Sequence, residues 1–204
     1  MADLRTAVPK AAFGLSLVLL LVGCGGEHER GDPTVMPSDA ADSSALPTDG
    51  VPKVANPLDT TAIEADPCRA VTKAEIESVG SPVKGVEPDA QDPLGPECSW
   101  TLATGHGQVG AGPLTADSLG LSGVYAKHKK NQIETFKPVQ SVNGYPGVIY
   151  GESDMDCALT VGVRDDLGYD VIFQAGLKNP NRGNTCPAAI KVAEFAIEHI
   201  KEMQ

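Results

Sequence analysis

Most of the chemistry open to this chain lies in five thiols: Cys24, Cys68, Cys98, Cys157 and Cys186. No C-x-x-C pair occurs, and His28, His106, His128 and His199 stand at no ligand spacing from a thiol. That argues against a zinc site or a redox dithiol. Five is an odd number for an exported disulfide protein, so one cysteine needs a separate task. Three other patterns invite a reading as sites and fail on context. Gly105-His106-Gly107-Gln108-Val109-Gly110 matches G-x-G-x-x-G, but Ala111-Gly112-Pro113 follows it. The helix N-terminus that would hold a pyrophosphate is missing, so a flexible loop is expected. Gly120-Leu121-Ser122-Gly123 has Val124 where a nucleophile elbow needs its second glycine. Glu152, Asp154 and Asp156 alternate but lack the glycine and closing glutamate of a calcium loop, and read as solvated charge. The sequence thus points to no metal, no cofactor and no catalytic residue.

The elements around Cys24 define its task. Met1 to Lys10 carries Arg5 and Lys10, and the twelve residues Ala11 to Val22 then bear no charge. As a helix that run would span about 18 Å at ~1.5 Å per residue. A bilayer core is ~30 Å thick, so it reads as the apolar region of a signal peptide. Leu21-Val22-Gly23-Cys24 follows directly and resembles the lipobox of bacterial lipoproteins. The resemblance implies cleavage after Gly23, a diacylglyceryl group on the Cys24 sulfur and an acylated new N-terminus. Two acyl chains suffice for stable anchoring. Residues 1–23 are then the signal peptide, and Cys24 joins the protein to the outer face of a cell membrane. Four cysteines remain, an even number.

Residues 24–66 read as a disordered tether. Pro33, Pro37, Pro47, Pro52 and Pro57 are interspersed with serines, and nine acids from Glu27 to Asp66 face only Arg30 and Lys53. No aromatic residue occurs between Cys24 and Trp100. Such a segment buries too little apolar surface to offset its ordering entropy. Across the whole chain, 16 Lys+Arg oppose 27 Asp+Glu for a net charge of −11. That excludes a nucleic-acid binder and a polybasic membrane-surface protein. The tether carries most of the acidity, so charge says little about what the domain binds.

Residues 67–204 then form one extracytoplasmic domain, long enough for a real core. Thr72-Lys73-Ala74-Glu75 is a capping box, and Gly80 before Ser81-Pro82 stops the helix it opens. A Gly/Pro/Asp-rich connection leads to Glu97–Leu102, where Cys98, Trp100 and Leu102 alternate onto one face of a strand. Leu121 to Gln132 reads as a helix with Lys127, Lys129 and Lys130 outward; with His128 they form a solvated basic face. Strand-like runs from Val139 to Tyr150 are interrupted at Asn143-Gly144 and Pro146-Gly147. Cys157–Val163 and Tyr169–Phe173 flank Asp165-Asp166-Leu167-Gly168 as a hairpin. The polar run Lys178–Asn184 reads as an ordinary connection, and Pro187 opens a closing helix with Ile190, Ala193, Phe195, Ile197 and Ile200 inward. Three pairings of the remaining cysteines are possible. Cys68–Cys98 and Cys157–Cys186 are favoured, because each ties the start of a helix to a strand. Each closes a loop of about thirty residues, worth roughly 3–4 kcal/mol in the chain-entropy view.

Pro67-Cys68 leading into Thr72-x-x-Glu75, then Cys98-Ser99-Trp100, Gly144-Tyr145-Pro146, Cys157 on a strand and Cys186 before a final helix together resemble actinobacterial lipoproteins. They are similar to the family of the domain of unknown function numbered 3558. The resemblance covers about Pro67 to Gln204. It implies an α+β fold, an antiparallel sheet packed by helices, on a lipid-anchored extracytoplasmic protein, and it carries over no catalytic residue. With no catalytic constellation in view, the expected function is that of a non-enzymatic binding module for an envelope protein or cell-wall component. The alternative is a small-ligand sensor or carrier with an apolar pocket between sheet and helices. An enzyme would need a Ser, His or carboxylate grouping that only the fold could assemble.

Overall fold

A computed structural model describes residues 46–204; Cys24 and the expected signal peptide lie outside the described residues. Seven antiparallel strands form one sheet in the order β1-β2-β3-β7-β6-β5-β4. They are β1 (Val83–Asp89), β2 (Glu97–Leu102), β3 (Gly107–Leu114), β4 (Lys137–Val142), β5 (Tyr145–Glu152), β6 (Asp156–Arg164) and β7 (Leu167–Ala175). The helices are α1 (Thr61–Ala65), α2 (Lys73–Ser78), α3 (Leu121–Lys129) and α4 (Cys186–Glu202), with a 3-10 turn at Pro67–Arg69. Among the described residues no helix is long and apolar enough to cross a membrane.

Two meanders, β1-β2-β3 and β4-β5-β6-β7, meet where β3 pairs with β7 over Gly107↔Ala175 to Leu114↔Gly168. One face of the sheet packs the main core. Trp100, Val109, Leu159, Val161, Tyr169, Val171 and Phe173 are fully buried there. Above them lie Ala189, Val192, Ala193, Ala196, Ile197 and Ile200 of α4. The small residues let α4 sit close to β6 and β7; Ile190 and Phe195, expected inward, pack at its rim. On the opposite face α3 covers only the β5–β6 side, through Leu121, Val124 and Val148.

Local rules explain several elements directly. The Thr72 hydroxyl accepts from the Glu75 N–H while the Glu75 carboxylate accepts from the Thr72 N–H, completing the capping box. The β6–β7 hairpin turns at Asp165-Asp166. Cys68 is bonded to Cys98 and Cys157 to Cys186, with Cα separations of 4.9 and 5.1 Å.

Three expectations need correction. Residues 46–66 do not belong to the tether. Val54, Leu58, Thr60 and Ile63 are buried, the Leu58 N–H donates to the Val163 carbonyl at 3.0 Å, and α1 lies against β3. These apolar residues are isolated among prolines and acids, so no periodicity announces them; they are buried because the sheet offers sites for them one at a time. The G-x-G-x-x-G stretch is not a flexible loop, since Gly107–Gly110 begins the central strand β3. Its glycines serve close approach: at Gly112 a Cβ would overlap the Pro96 carbonyl, and at Gly107, with φ +96°, the Gln174 carbonyl. Pro146-Gly147 does not interrupt a strand either. Pro146 occupies the second position of β5, before the pairing with β6 begins at Gly147, so its missing N–H breaks no ladder bond to β6.

The packed N-terminal segment makes a measurable claim. Ile63→Ala should lower stability in urea unfolding by about 2–5 kcal/mol, as for other fully buried aliphatic side chains. An equivalent change in a solvated linker would leave the midpoint unmoved.

Candidate functional site

Among the described residues a broad concavity lies on the sheet face that α3 leaves uncovered, at the end of the strands away from α3. Register builds its floor. Gly85 faces Thr101, Thr101 faces Gln108, Gln108 faces Gln174 and Gln174 faces Asp156, so one cross-strand row spans five strands. Four interstrand steps at ~4.8 Å make this row about 19 Å long. The Gln108 side-chain amide donates to the Gln174 side-chain carbonyl at 2.6 Å, which fixes both amides across the β3–β7 joint. Lys84 stands at one end, its ammonium donating to the Thr104 hydroxyl at 3.0 Å.

The rim is held by backbone bonds. Gly176 N–H donates to the His106 carbonyl at 2.9 Å and Lys178 N–H to the Gly105 carbonyl at 2.8 Å. The β2–β3 turn and the segment after β7 therefore rise together as one wall. Lys178 lays its aliphatic stem over Gly105, and Leu177 beside it is 76% exposed. Met155 and Asp156 close the far end of a cleft of about 800 Å³. That volume falls within the usual range for ligand sites.

Further along the same face, under α3, lies a buried carboxyl. Asp170 accepts from the Thr160 hydroxyl at 2.6 Å and the Tyr150 hydroxyl at 2.8 Å. Burial pushes its pKa up to about 6; the two hydroxyls and Lys127 pull it down, and the Glu97 carboxylate pushes it up. Burial also raises Glu97 and Tyr150 above their ordinary values. The space around this network is small. A void of about 80 Å³ borders Asp170 beneath Leu94 and Pro96, and one of about 150 Å³ lies between α3 and the sheet beside Tyr150 and Thr160. The latter is half the smallest usual ligand pocket, ~300 Å³.

The fold also assembles one Ser–His pair that the sequence did not suggest. The Ser81 hydroxyl lies 3.1 Å from His106 Nδ1. Ser81 is buried, at the stop of α2, and the chain packs over it. Asn179 donates to the His106 carbonyl at 2.7 Å and Asn181 to the Val79 carbonyl at 2.6 Å. The pair thus knits the end of α2, the β2–β3 turn and the Lys178–Asn184 run, which proves to be an anchored strap.

The residues singled out in the sequence fall in different places. The four bridged cysteines lie in or beside the core. Glu152 pairs with Lys137, Asp156 accepts from Ser153, and Lys129 pairs with Asp49 while His128 stacks on Phe136 at 4.0 Å. None of these gathers into a site except Asp156. The cleft residues Lys84, Thr101, Gln108, Gln174 and Leu177 are each ordinary alone in the sequence; only strand register brings them together. The rejected glycine pattern and the polar run at Lys178 did mark the cleft's rim.

An antiparallel α+β domain, covered by a long helix on one face and open in a cleft on the other, is the class that this geometry defines. The sequence matches the family described as "Protein of unknown function (DUF3558)" over residues 19–199, and the chain belongs to that family. No curated protein and no solved structure matches it.

The Asp170 network predicts a pH effect of definite sign. Its pKa is raised in the folded state, so the native protein holds the proton more tightly than the unfolded chain. Asp170 therefore contributes most below pH ~4 and progressively less as pH rises through about 6. Asp170→Asn removes this dependence. Relative to the parent, its urea midpoint should rise between pH 4.5 and 7.5, by the equivalent of about 2 kcal/mol; parallel curves would contradict the assigned environment.

Proposed function

We propose that this chain is a lipid-anchored, extracytoplasmic binding module of the bacterial cell envelope, and that the open cleft takes a segment of a protein or a cell-wall component. The carrying observation is the cleft itself. It is an ~800 Å³ concavity on a rigid sheet, with one large apolar side chain standing almost fully in solvent. Isolated exposed leucines are common, but one on the wall of a hydrogen-bonded cleft matches the apolar anchors of recognition sites. The lipobox-like Leu21-Val22-Gly23-Cys24 supports the anchor. The size of the void under α3 weighs against a carrier with an apolar pocket between sheet and helices.

The packed residues 46–66 shorten the proposed tether. Between Cys24 and Leu46 lie 21 residues. The chain meets the domain at the start of α3, where the Thr48 N–H donates to the Ser122 hydroxyl at 3.0 Å, and reaches the β6–β7 turn at Val54, whose N–H donates to the Asp165 carboxylate at 2.8 Å. The cleft opens at the other end of β7, eight residues or about 27 Å away. It would therefore face away from the point of attachment.

Two measurements test the reading. Detergent phase partitioning should move Cys24→Ala from the detergent to the aqueous phase, and an unchanged distribution would refute the anchor. In intact cells, Leu177→Asp should abolish crosslinks made by the parent while leaving its melting temperature within about a degree, since an exposed side chain contributes little to stability. Crosslinks that persist would place the binding surface elsewhere.

A further inference from the structure

The cleft's chemistry narrows what can occupy it. Its floor is a row of neutral hydrogen-bonding groups: the Thr101 hydroxyl and the Gln108 and Gln174 amides, set at strand spacing. Side-chain amides match the donors and acceptors of a peptide backbone. The lining holds no aromatic ring, which removes the stacking platform that the apolar face of a sugar would use. Its apolar groups include Leu102, Ala103 and Ala175 as well as the flexible Met155 and the exposed Leu177, suited to side chains of varied shape. The row's length of about 19 Å accommodates roughly six residues of extended chain at ~3.3 Å each.

Charge gives the second constraint. The protein is acidic overall, at −11, yet the lining carries Lys84 and Lys178 against one acid, Asp156. Neither lysine forms an ion pair with a described residue, and Asp156 accepts only from the neutral Ser153 hydroxyl at 3.0 Å, so two lysines against one aspartate leave the lining a formal charge of +1. A net positive lining along a hydrogen-bonding floor, on a chain that is otherwise acidic, favours an anionic occupant over a basic one. Resting on the binding-module reading above, we infer that the cleft binds an extended acidic segment of a partner protein. That segment would be about six residues long, with carboxylates placed toward Lys84 and Lys178 and an apolar side chain against Leu177.

A phage-displayed library of random linear heptapeptides, selected on the full-length chain in detergent micelles, tests the inference. Enriched peptides should carry at least two Asp or Glu and one large apolar residue. Their synthetic forms should lose at least tenfold in affinity for Lys84→Glu/Lys178→Glu, measured by fluorescence anisotropy. Lys53→Glu, far from the cleft, should bind as the parent does, and circular dichroism of the double variant should match the parent. Peptides without acidic residues that still lose affinity on Leu177→Asp would overturn the acidic specificity and leave the binding-module reading standing. Peptides indifferent to all cleft variants, or no enrichment, would overturn the inference; indifference would also remove the cleft from the proposed function. A β-1,4-linked N-acetylglucosamine hexamer that binds in a Leu177-dependent way would replace the peptide by a wall component.

Discussion

The pairing of β3 with β7 holds the two halves of this domain together. Each meander closes through short turns between neighbouring strands, but β3 and β7 come together across about sixty residues of chain, the kind of contact that folding reaches late. The joint survives because of what β3 lacks. Its glycines let the strand lie against Pro96 on one side and the end of β7 on the other, at distances that a Cβ would forbid. The segment from Val54 to Ala65 then straps the joint. It is hydrogen-bonded to β6 at Val163 and packed through α1 on β3. A stretch that looks like spacer thus folds because the seam needs covering.

The covalent links respect this division. Cys68–Cys98 ties the 3-10 turn to β2, within the first meander's half, while Cys157–Cys186 ties β6 to the start of α4, within the second's. Neither bridge crosses from β3 to β7. Helix α4 extends its cover through contact with α2, where His199 Nε2 approaches the Glu75 carboxylate at 3.1 Å. The union of the halves is therefore left to backbone hydrogen bonds, to the shared core around Val109 and Phe173, and to the Gln108–Gln174 contact.

How much of this the sequence reveals follows from how local each cause is. The Thr72 capping box, the alternation around Trp100, the β6–β7 hairpin and the Pro187 helix start are decided within a few residues, and the structure contains each. The strand β3 is hidden because glycine marks both loops and close-packed strands, and only the neighbours of Gly107 and Gly112 distinguish the two. Strand β1, with Gly85 and Pro88, sits at the sheet edge where proline is tolerated. The cleft is the least legible part. Thr101, Gln108 and Gln174 belong to separate strands, and their alignment is a property of register rather than of any one segment.

The arrangement also has a mechanical meaning. The N-terminal segment passes beside Asp165, while the cleft lies at the other end of the same strands. A pull between the chain's entry and something held in the cleft would therefore run along the strand axes. Hydrogen bonds of the antiparallel ladder lie across that direction. Under such a load the eight registered positions of the β3–β7 joint share the force together instead of parting one after another. A domain whose halves share no disulfide is in this way oriented to resist shear.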